Sequence, residues 1–360
     1  MSDNPKIVFL DTYYPRVLQT AQELKTYESR LNILLRMRFG TSDYYSEAFK
    51  KYGWDAVDLI ANDNVGRLLW CSENDVQYAD NKQSVLGQIE RLKPDVVYCQ
   101  DLSFCTHELK ALKQRGVIKV LTGQHSCPWA GDEVVRQFDM LYTSFPHYID
   151  RISSLGVKAE FLPIAFGGLK LFSELLMPPK MRDYDCTFVG GLGGGKTSGH
   201  WDGGTKTLGI LAKRLPSFKW WGYGLDQVPS EYPELRKAYQ GEAWGRTMYG
   251  IYARSKIVVN RHGEVANGYS NNMRLFEATG MGAMLFTEDS KNIKRYFDPR
   301  VECEVYSSPE GLANKIEHYL MRVPQLMMEI AVRGQQRTLI EHTYVRRLAK
   351  PSEQLVRMLK

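Results

Sequence analysis

Apolar positions along the chain alternate between short β-rich runs and helical spacings. Residues 6–10 (KIVFL) predict a strand stopping at Asp11, and residues 17–38 space Val17, Leu18, Leu24, Leu31, Leu34 and Leu35 at helical intervals. A helix over 85–92 is broken by Lys93-Pro94-Asp95 before a strand at 96–99. A helix over 106–114 ends near Gly116, and a strand follows at 117–121. Two further strands, 138–142 and 159–163, flank a helix over 147–155. Gly167-Gly168, Pro178-Pro179 and nearby basic residues make 166–182 a plausible linker. The alternation then restarts, with strands at 186–189, 218–221, 256–260 and 283–287 and helices over 208–215, 249–255, 272–279 and 310–335. Strand and helix in turn argue for an α/β fold of two Rossmann-like domains facing a cleft, with ligands beyond the carboxyl ends of the strands.

Composition narrows the function classes. The chain has 360 residues, 43% hydrophobic and 24% charged, which excludes a disordered tail, a collagen-like repeat and a small disulfide scaffold. No run approaches the ~20 apolar residues of a membrane span. The polar opening Met-Ser-Asp-Asn-Pro-Lys leads straight into the first strand, so no signal peptide is read there. Six cysteines without zinc or C-x-x-C spacing suit reduced thiols, and the expected location is cytoplasmic. The net charge of +6 is uneven: residues 1–170 carry 20 basic and 21 acidic side chains, so the excess lies in the second half, much of it between Arg346 and Lys360. A mild positive excess suits a phosphorylated small molecule as well as it suits nucleic acid.

Three constellations carry candidate chemistry. Residues 190–197 (GGLGGGKT) follow a strand and satisfy G-x(4)-G-K-[ST], the loop whose backbone amides cradle phosphate. The following SGHWDGG is poor helix material, and the strand KIVVN ends in Asn260 rather than a Mg²⁺-binding acid, which sets this loop apart from a triphosphatase. Gly191, Gly193, Gly194 and Lys196 remain candidates for contacting a diphosphate. The second constellation joins Arg261 to Asn271, Asn272, Arg274 and Glu277, where a Gly/Asn-rich loop opens a helix. Free amides and Arg274 there suit an anion, and Glu277 suits the vicinal hydroxyls of a ribose. The plainer alternative is a surface ion pair between Arg274 and Glu277. The third comprises Asp11, Asp101 and His125, each at a strand end, where a carboxylate or imidazole can take a proton from an attacking hydroxyl. Helix capping and a satisfied loop histidine are the alternatives. Asp183-Tyr184-Asp185 matches a metal-binding D-x-D, but it precedes a strand, and no metal is expected.

The segment from Arg274 (RLFEATGMGA) with Leu285-Phe-Thr287-Glu288, supported by Lys219–Gly224, Ser255–Asn260 and His342–Arg347, resembles the C-terminal half of GT-B glycosyltransferases, and the branch related to the spore-maturation protein CgeB in particular. The likeness is specific over 185–347 and rests on topology before that. It implies an acceptor-side domain at 1–168, a linker at 169–182, a nucleotide-sugar domain at 183–342, and a terminal helix at 343–360 packing back on the first domain. Glu277 would then bind the ribose, Asn271, Asn272 and Arg274 the diphosphate, and Gly222, Tyr223 and Gly224 would lie near the base. The donor would be a UDP-, GDP- or TDP-linked sugar, and the acceptor a hydroxyl of a glycan, protein or small molecule ahead of nucleic acid. Many retaining members carry Glu-x(7)-Glu, whereas Tyr269 stands eight positions before Glu277, so retention or inversion stays open. The other readings are a glycosyltransferase acting on DNA bases and a non-catalytic nucleotide-sugar-binding or P-loop type nucleotide-binding protein.

Overall fold

The computed structural model describes residues 4–21, 24–129, 131–192 and 202–360. They form two compact units, 1–163 together with 344–360, and 164–343.

The first unit holds a six-stranded parallel sheet. Its strands are β1 (Lys6–Asp11), β2 (Asp55–Ile60), β3 (Val96–Cys99), β4 (Val120–Gln124), β5 (Met140–Thr143) and β6 (Lys158–Phe161), in the order β2-β1-β3-β4-β5-β6. Central strands β3, β4 and β5 are buried on both faces, as a parallel sheet covered by helices requires. β2 escaped the sequence reading because Asp55 and Asp58 interrupt its apolar run; Asp58 keeps its place by accepting from Ser46. The expected long helix over 17–38 is instead a short turn, Pro15–Leu18, and a helix, Tyr27–Arg36, started by the Thr26 side chain accepting from Ser29 N at 3.2 Å. The final helix, Ala349–Leu359, turns its buried face to this unit: Trp54 Nε1 donates to Ser352 Oγ at 2.8 Å and Tyr142 OH to Gln354 Oε1 at 3.1 Å.

The second unit holds a five-stranded parallel sheet of β7 (Tyr184–Val189), β8 (Phe218–Trp221), β9 (Ser255–Asn260), β10 (Met284–Glu288) and β11 (Glu304–Tyr306), ordered β11-β10-β9-β7-β8. Its core packs on both faces, with Phe188, Trp220 and Phe286 on one side and Val189, Val258 and Leu285 on the other. Residues 169–182, read as a linker, hold a helix, Leu169–Leu175, and lie within this unit; Leu171 is buried. The expected helix 310–335 is two, Pro309–Met321 and Pro324–Glu341, parted at the proline. No helix among the described residues is long and apolar enough to cross a membrane.

Candidate functional site

The site of the second unit is built where its strands end. β7 and β8 run on into two glycine turns that remain bonded to each other: Gly190 N donates to Trp221 O and Leu192 N to Tyr223 O, both at 2.8 Å. At Gly222 (φ +151°) any Cβ would overlap the Gly190 carbonyl oxygen, and at Gly224 (φ +92°) the Leu192 carbonyl oxygen. A Cβ on Gly191 would enter the Tyr223 ring. Gly191, Tyr223 and Gly224 are thus brought together. The Tyr223 ring is 43% exposed and lies nearly parallel to Trp244, with centroids 6.0 Å apart, a flat face suited to an aromatic base. Gly193, Gly194 and Lys196 lie outside the described residues.

Two guanidinium groups converge beside these turns. Arg261 follows β9 and is 3% exposed; its Nε stands 3.8 Å from Glu288 Oε1. It lies against the first turn of the helix Asp202–Arg214, where a side chain on Gly204 would collide with it. Burial lowers its pKa, and the Arg274 charge lowers it further. Arg274 opens the helix Arg274–Gly280, seven residues long and starting two positions after the expected Asn272. Its guanidinium covers the Phe188 ring at 4.6 Å, and Nη1 donates to Asn260 Oδ1 at 3.2 Å. Asn272 donates to that same oxygen and to Arg261 O, each at 2.7 Å, tying the loop to the end of β9. Asn271, next to it, is half-buried.

Glu277 does not form the surface ion pair of the plainer reading. It is 6% exposed, and Tyr249 OH donates to its Oε1 at 3.5 Å. Desolvation pushes its pKa up to about 7, against the pull of the Arg274 charge and the Tyr249 hydrogen bond. His262, next to Arg261 in the chain and within the field of Arg274, has its backbone N–H on Glu288 Oε2 at 2.6 Å. Burial and then the two positive charges press its pKa down to about 4, so the ring is neutral near pH 7. Asn272 Oδ1, Arg274 Nε and His262 Nδ1 are buried with no hydrogen-bond partner among the described residues. Unsatisfied buried polar atoms are costly, and three at one strand edge point to a polar occupant.

In the first unit Asp11, Asp101 and His125 all stand at the carboxyl ends of β1, β3 and β4. Asp11 accepts from Thr12 N at 2.8 Å and Thr41 Oγ1 at 3.1 Å; burial pushes its pKa up to about 6. Asp101 accepts from Thr12 Oγ1 at 2.7 Å through one oxygen and from Ser103 N and Oγ through the other. That carboxylate is occupied on both sides, as a turn-capping aspartate is. The His125 ring packs edge-on to Trp129, with Cys127 Sγ 3.5 Å from Nε2, and burial lowers its pKa against the field of Asp101. Asp183 and Asp185 are ion-paired with Arg254 and Lys256 at the opposite, amino end of β7.

His262, Glu288 and Tyr249 were not legible as site residues. His262 adjoins Arg261 in sequence, which was the available signal, but its contact with Glu288 crosses from β9 to β10 and has no local pattern. Tyr249 lies on the helix Gly245–Arg254, which the sequence shows as a helix with no sign of a polar role.

Residues 206–351 match the family described as glycosyl transferase-like. No curated protein matches the chain. Among solved structures, HepE of Anabaena in complex with UDP and glucose superposes with a TM-score of 0.59 at 12% identity, covering 98% of this chain and 100% of that one. A glycosyltransferase of Rickettsia africae gives 0.62 at 11%, with 99% of each chain covered. Sucrose-phosphate synthase of Thermosynechococcus elongatus gives 0.59 at 12%, covering 98% and 100%. The fold is therefore that of GT-B glycosyltransferase structures, two parallel-sheet α/β domains, and the family match falls on residues 206–351.

Proposed function

We propose that the chain transfers a sugar from a nucleoside diphosphate to an acceptor hydroxyl. The observation that carries this reading is the placing of buried Glu277 one turn from Arg274, with Arg261 alongside, at the carboxyl edge of the second sheet. A carboxylate suits the paired hydroxyls of a ribose, and two guanidinium groups suit the charge that develops on a departing diphosphate. Arg261, against the first turn of a helix, gives that charge a second stabilising partner in the helix dipole. Asn271, Gly191 and, by their sequence, Gly193, Gly194 and Lys196 take the phosphates; the Asn272 side chain, its N–H groups given to Asn260 and Arg261, fixes the loop beside them, while Tyr223 and Gly224 border the base.

The reaction forms a bond between the acceptor oxygen and the anomeric carbon, breaks that carbon's bond to the phosphate oxygen, and passes the hydroxyl proton to a base. Asp11 is the favoured base: its pKa near 6 matches work near neutrality, and it accepts one hydrogen bond on each oxygen, where Asp101 accepts from Thr12 and twice from Ser103. His125, its pKa lowered by burial, serves in this reading as a hydrogen-bonding group of the same cluster. UDP is the favoured donor nucleotide, since HepE was solved with UDP and with UDP-glucose. The segments resembling the CgeB branch support placing the chain there, and the reduced-thiol composition supports the cytoplasm. The near-neutral charge of residues 1–170 favours a glycan, protein or small-molecule acceptor over DNA. Incubation with UDP-, GDP- and TDP-sugars, followed by NMR, tests the activity: release of one diphosphate with a new glycoside supports it. Tight nucleotide binding without turnover on a broad acceptor panel contradicts it in favour of a binding protein.

A further inference from the structure

A cavity of about 340 Å³ opens in the second unit at the other edge of its sheet. Asp185 and Lys256, the second residues of β7 and β9, and Gly282, just before β10, lie on its wall. Five residues of strand separate Asp185 from Gly190, roughly 16 Å, so this cavity is distinct from the candidate donor site. Its volume falls in the ~300–1,000 Å³ range of small-molecule sites.

The lining has two parts. Leu215, Leu320, Met321, Met327 and Met328 give an apolar wall, drawn from the ends of three helices. Methionine side chains adapt readily to the shape of a guest, and Met321, 71% exposed, stands at the rim. The polar part is Lys180, Arg182, Lys256 and Asp185. Lys256 Nζ pairs with Asp185 Oδ1 at 2.6 Å, which neutralises one cation. Neither Lys180 nor Arg182 meets a carboxylate among the described residues.

Arg182 is the telling side chain. It is 6% exposed, and its Nη atoms donate only to backbone carbonyls: Ser255 O at 3.0 Å, Met281 O at 3.3 Å, and Gly282 O. Those carbonyls follow the ends of the helices Gly245–Arg254 and Arg274–Gly280, whose dipoles favour a cation. Its Nε is buried without a partner among the described residues. A buried cation answered only by dipoles, beside an exposed lysine and an apolar wall, is complementary to an anion carrying an apolar body.

We propose that this cavity binds a small amphiphilic anion, its carboxylate or phosphate toward Lys180 and Arg182 and its hydrocarbon part along the methionine wall. The proposal is independent of the donor reading. Sodium decanoate is the probe, titrated into the full chain by calorimetry, with 1-decanol as the uncharged counterpart and UDP as a competitor for the other site. The expected result is saturable binding of one decanoate per chain, about tenfold or more weaker for 1-decanol and for the exposed-site variants Lys180→Glu and Met321→Glu, with unchanged melting temperatures and no displacement by UDP. Absence of saturable binding, equal affinity in both variants, equal binding of 1-decanol, or displacement by UDP overturns it. Binding only to vesicles of anionic lipid, and not to monomeric decanoate, also overturns it, by making the patch a membrane-facing surface.

Discussion

Gly222 touches Gly190 so closely that the space between them holds no side chain: an ideal Cβ on Gly222 would fall within the Gly190 carbonyl oxygen, at a backbone φ of +151°. The two turns after β7 and β8 are locked by this approach. Gly222→Ala is expected to cost about 1–3 kcal/mol of stability and to weaken nucleotide binding well beyond a helical Gly→Ala control such as Gly250→Ala, at which a Cβ meets nothing. Chemical denaturation and calorimetry on both variants check this.

Glu277 predicts a pH dependence of opposite sign to the usual carboxylate. Its pKa rises from 4.5 to about 7 on folding, so the folded state binds its proton more tightly than the unfolded state does. Its contribution is fully present below pH 4.5 and is lost as the pH rises through 7. His262, lowered to about 4, costs stability as the pH falls below 6.5, so the two partly offset each other in the parent. Glu277→Gln is expected to melt higher than the parent at pH 8, the difference closing by pH 4.5. Hydroxyls that bond the carboxylate also draw its proton off, so UDP affinity in the parent is expected to fall as the pH drops from 7.5 to 5.5, with proton release seen in buffers of different ionisation enthalpy.

Asp11 as the base sets the acid limb of the reaction. The rate under kcat/KM conditions is expected to fall below pH 6 in the parent. Asp11→Asn is expected to lower kcat by about 10²–10⁴-fold and to leave donor binding intact. Asp101→Asn, whose oxygens serve Thr12 and Ser103, is expected to act mainly on stability. Loss of donor binding in Asp11→Asn contradicts the assignment.

The Arg30–Asp63 pair is a structural element of the first unit. Arg30 and Asp63 are 2% and 3% exposed, and Arg30 Nη2 stands 2.6 Å from Asp63 Oδ1, with Nε 2.7 Å from Oδ2. Asp63→Ala leaves a buried guanidinium uncompensated and is expected to cost about 3–5 kcal/mol. A denaturation midpoint within error of the parent's contradicts that.

Much of the architecture was readable in the chain because buried parallel strands are near-continuous apolar runs: KIVFL, VVYC and KIVVN stand out against charged helix faces. β2 did not, since Asp58 breaks its run and is tolerated only through Ser46, a contact across 12 residues. β11, three residues long, carries buried Glu304, held by Lys315 and Tyr319. At the candidate site, residues that share a turn, such as Arg274 and Glu277, could be paired by spacing. The burial of Glu277 could not, because it depends on Tyr249 from another helix. The neutrality of His262 likewise depends on burial and on the charge of Arg274, which only the fold brings near it.

The most direct test is a thermal-shift and calorimetric panel of UDP, GDP, CDP, ADP and TDP on the parent and on Glu277→Ala. A ligand that binds only the folded state must stabilise it, by about 2.7 kcal/mol at a hundredfold excess over Kd. The account predicts that one diphosphate, with UDP first, raises the parent's Tm and fails to raise that of Glu277→Ala. No response to any diphosphate, with a clear response to ATP in both proteins, would contradict it and move the nucleotide site to the loop at 190–197.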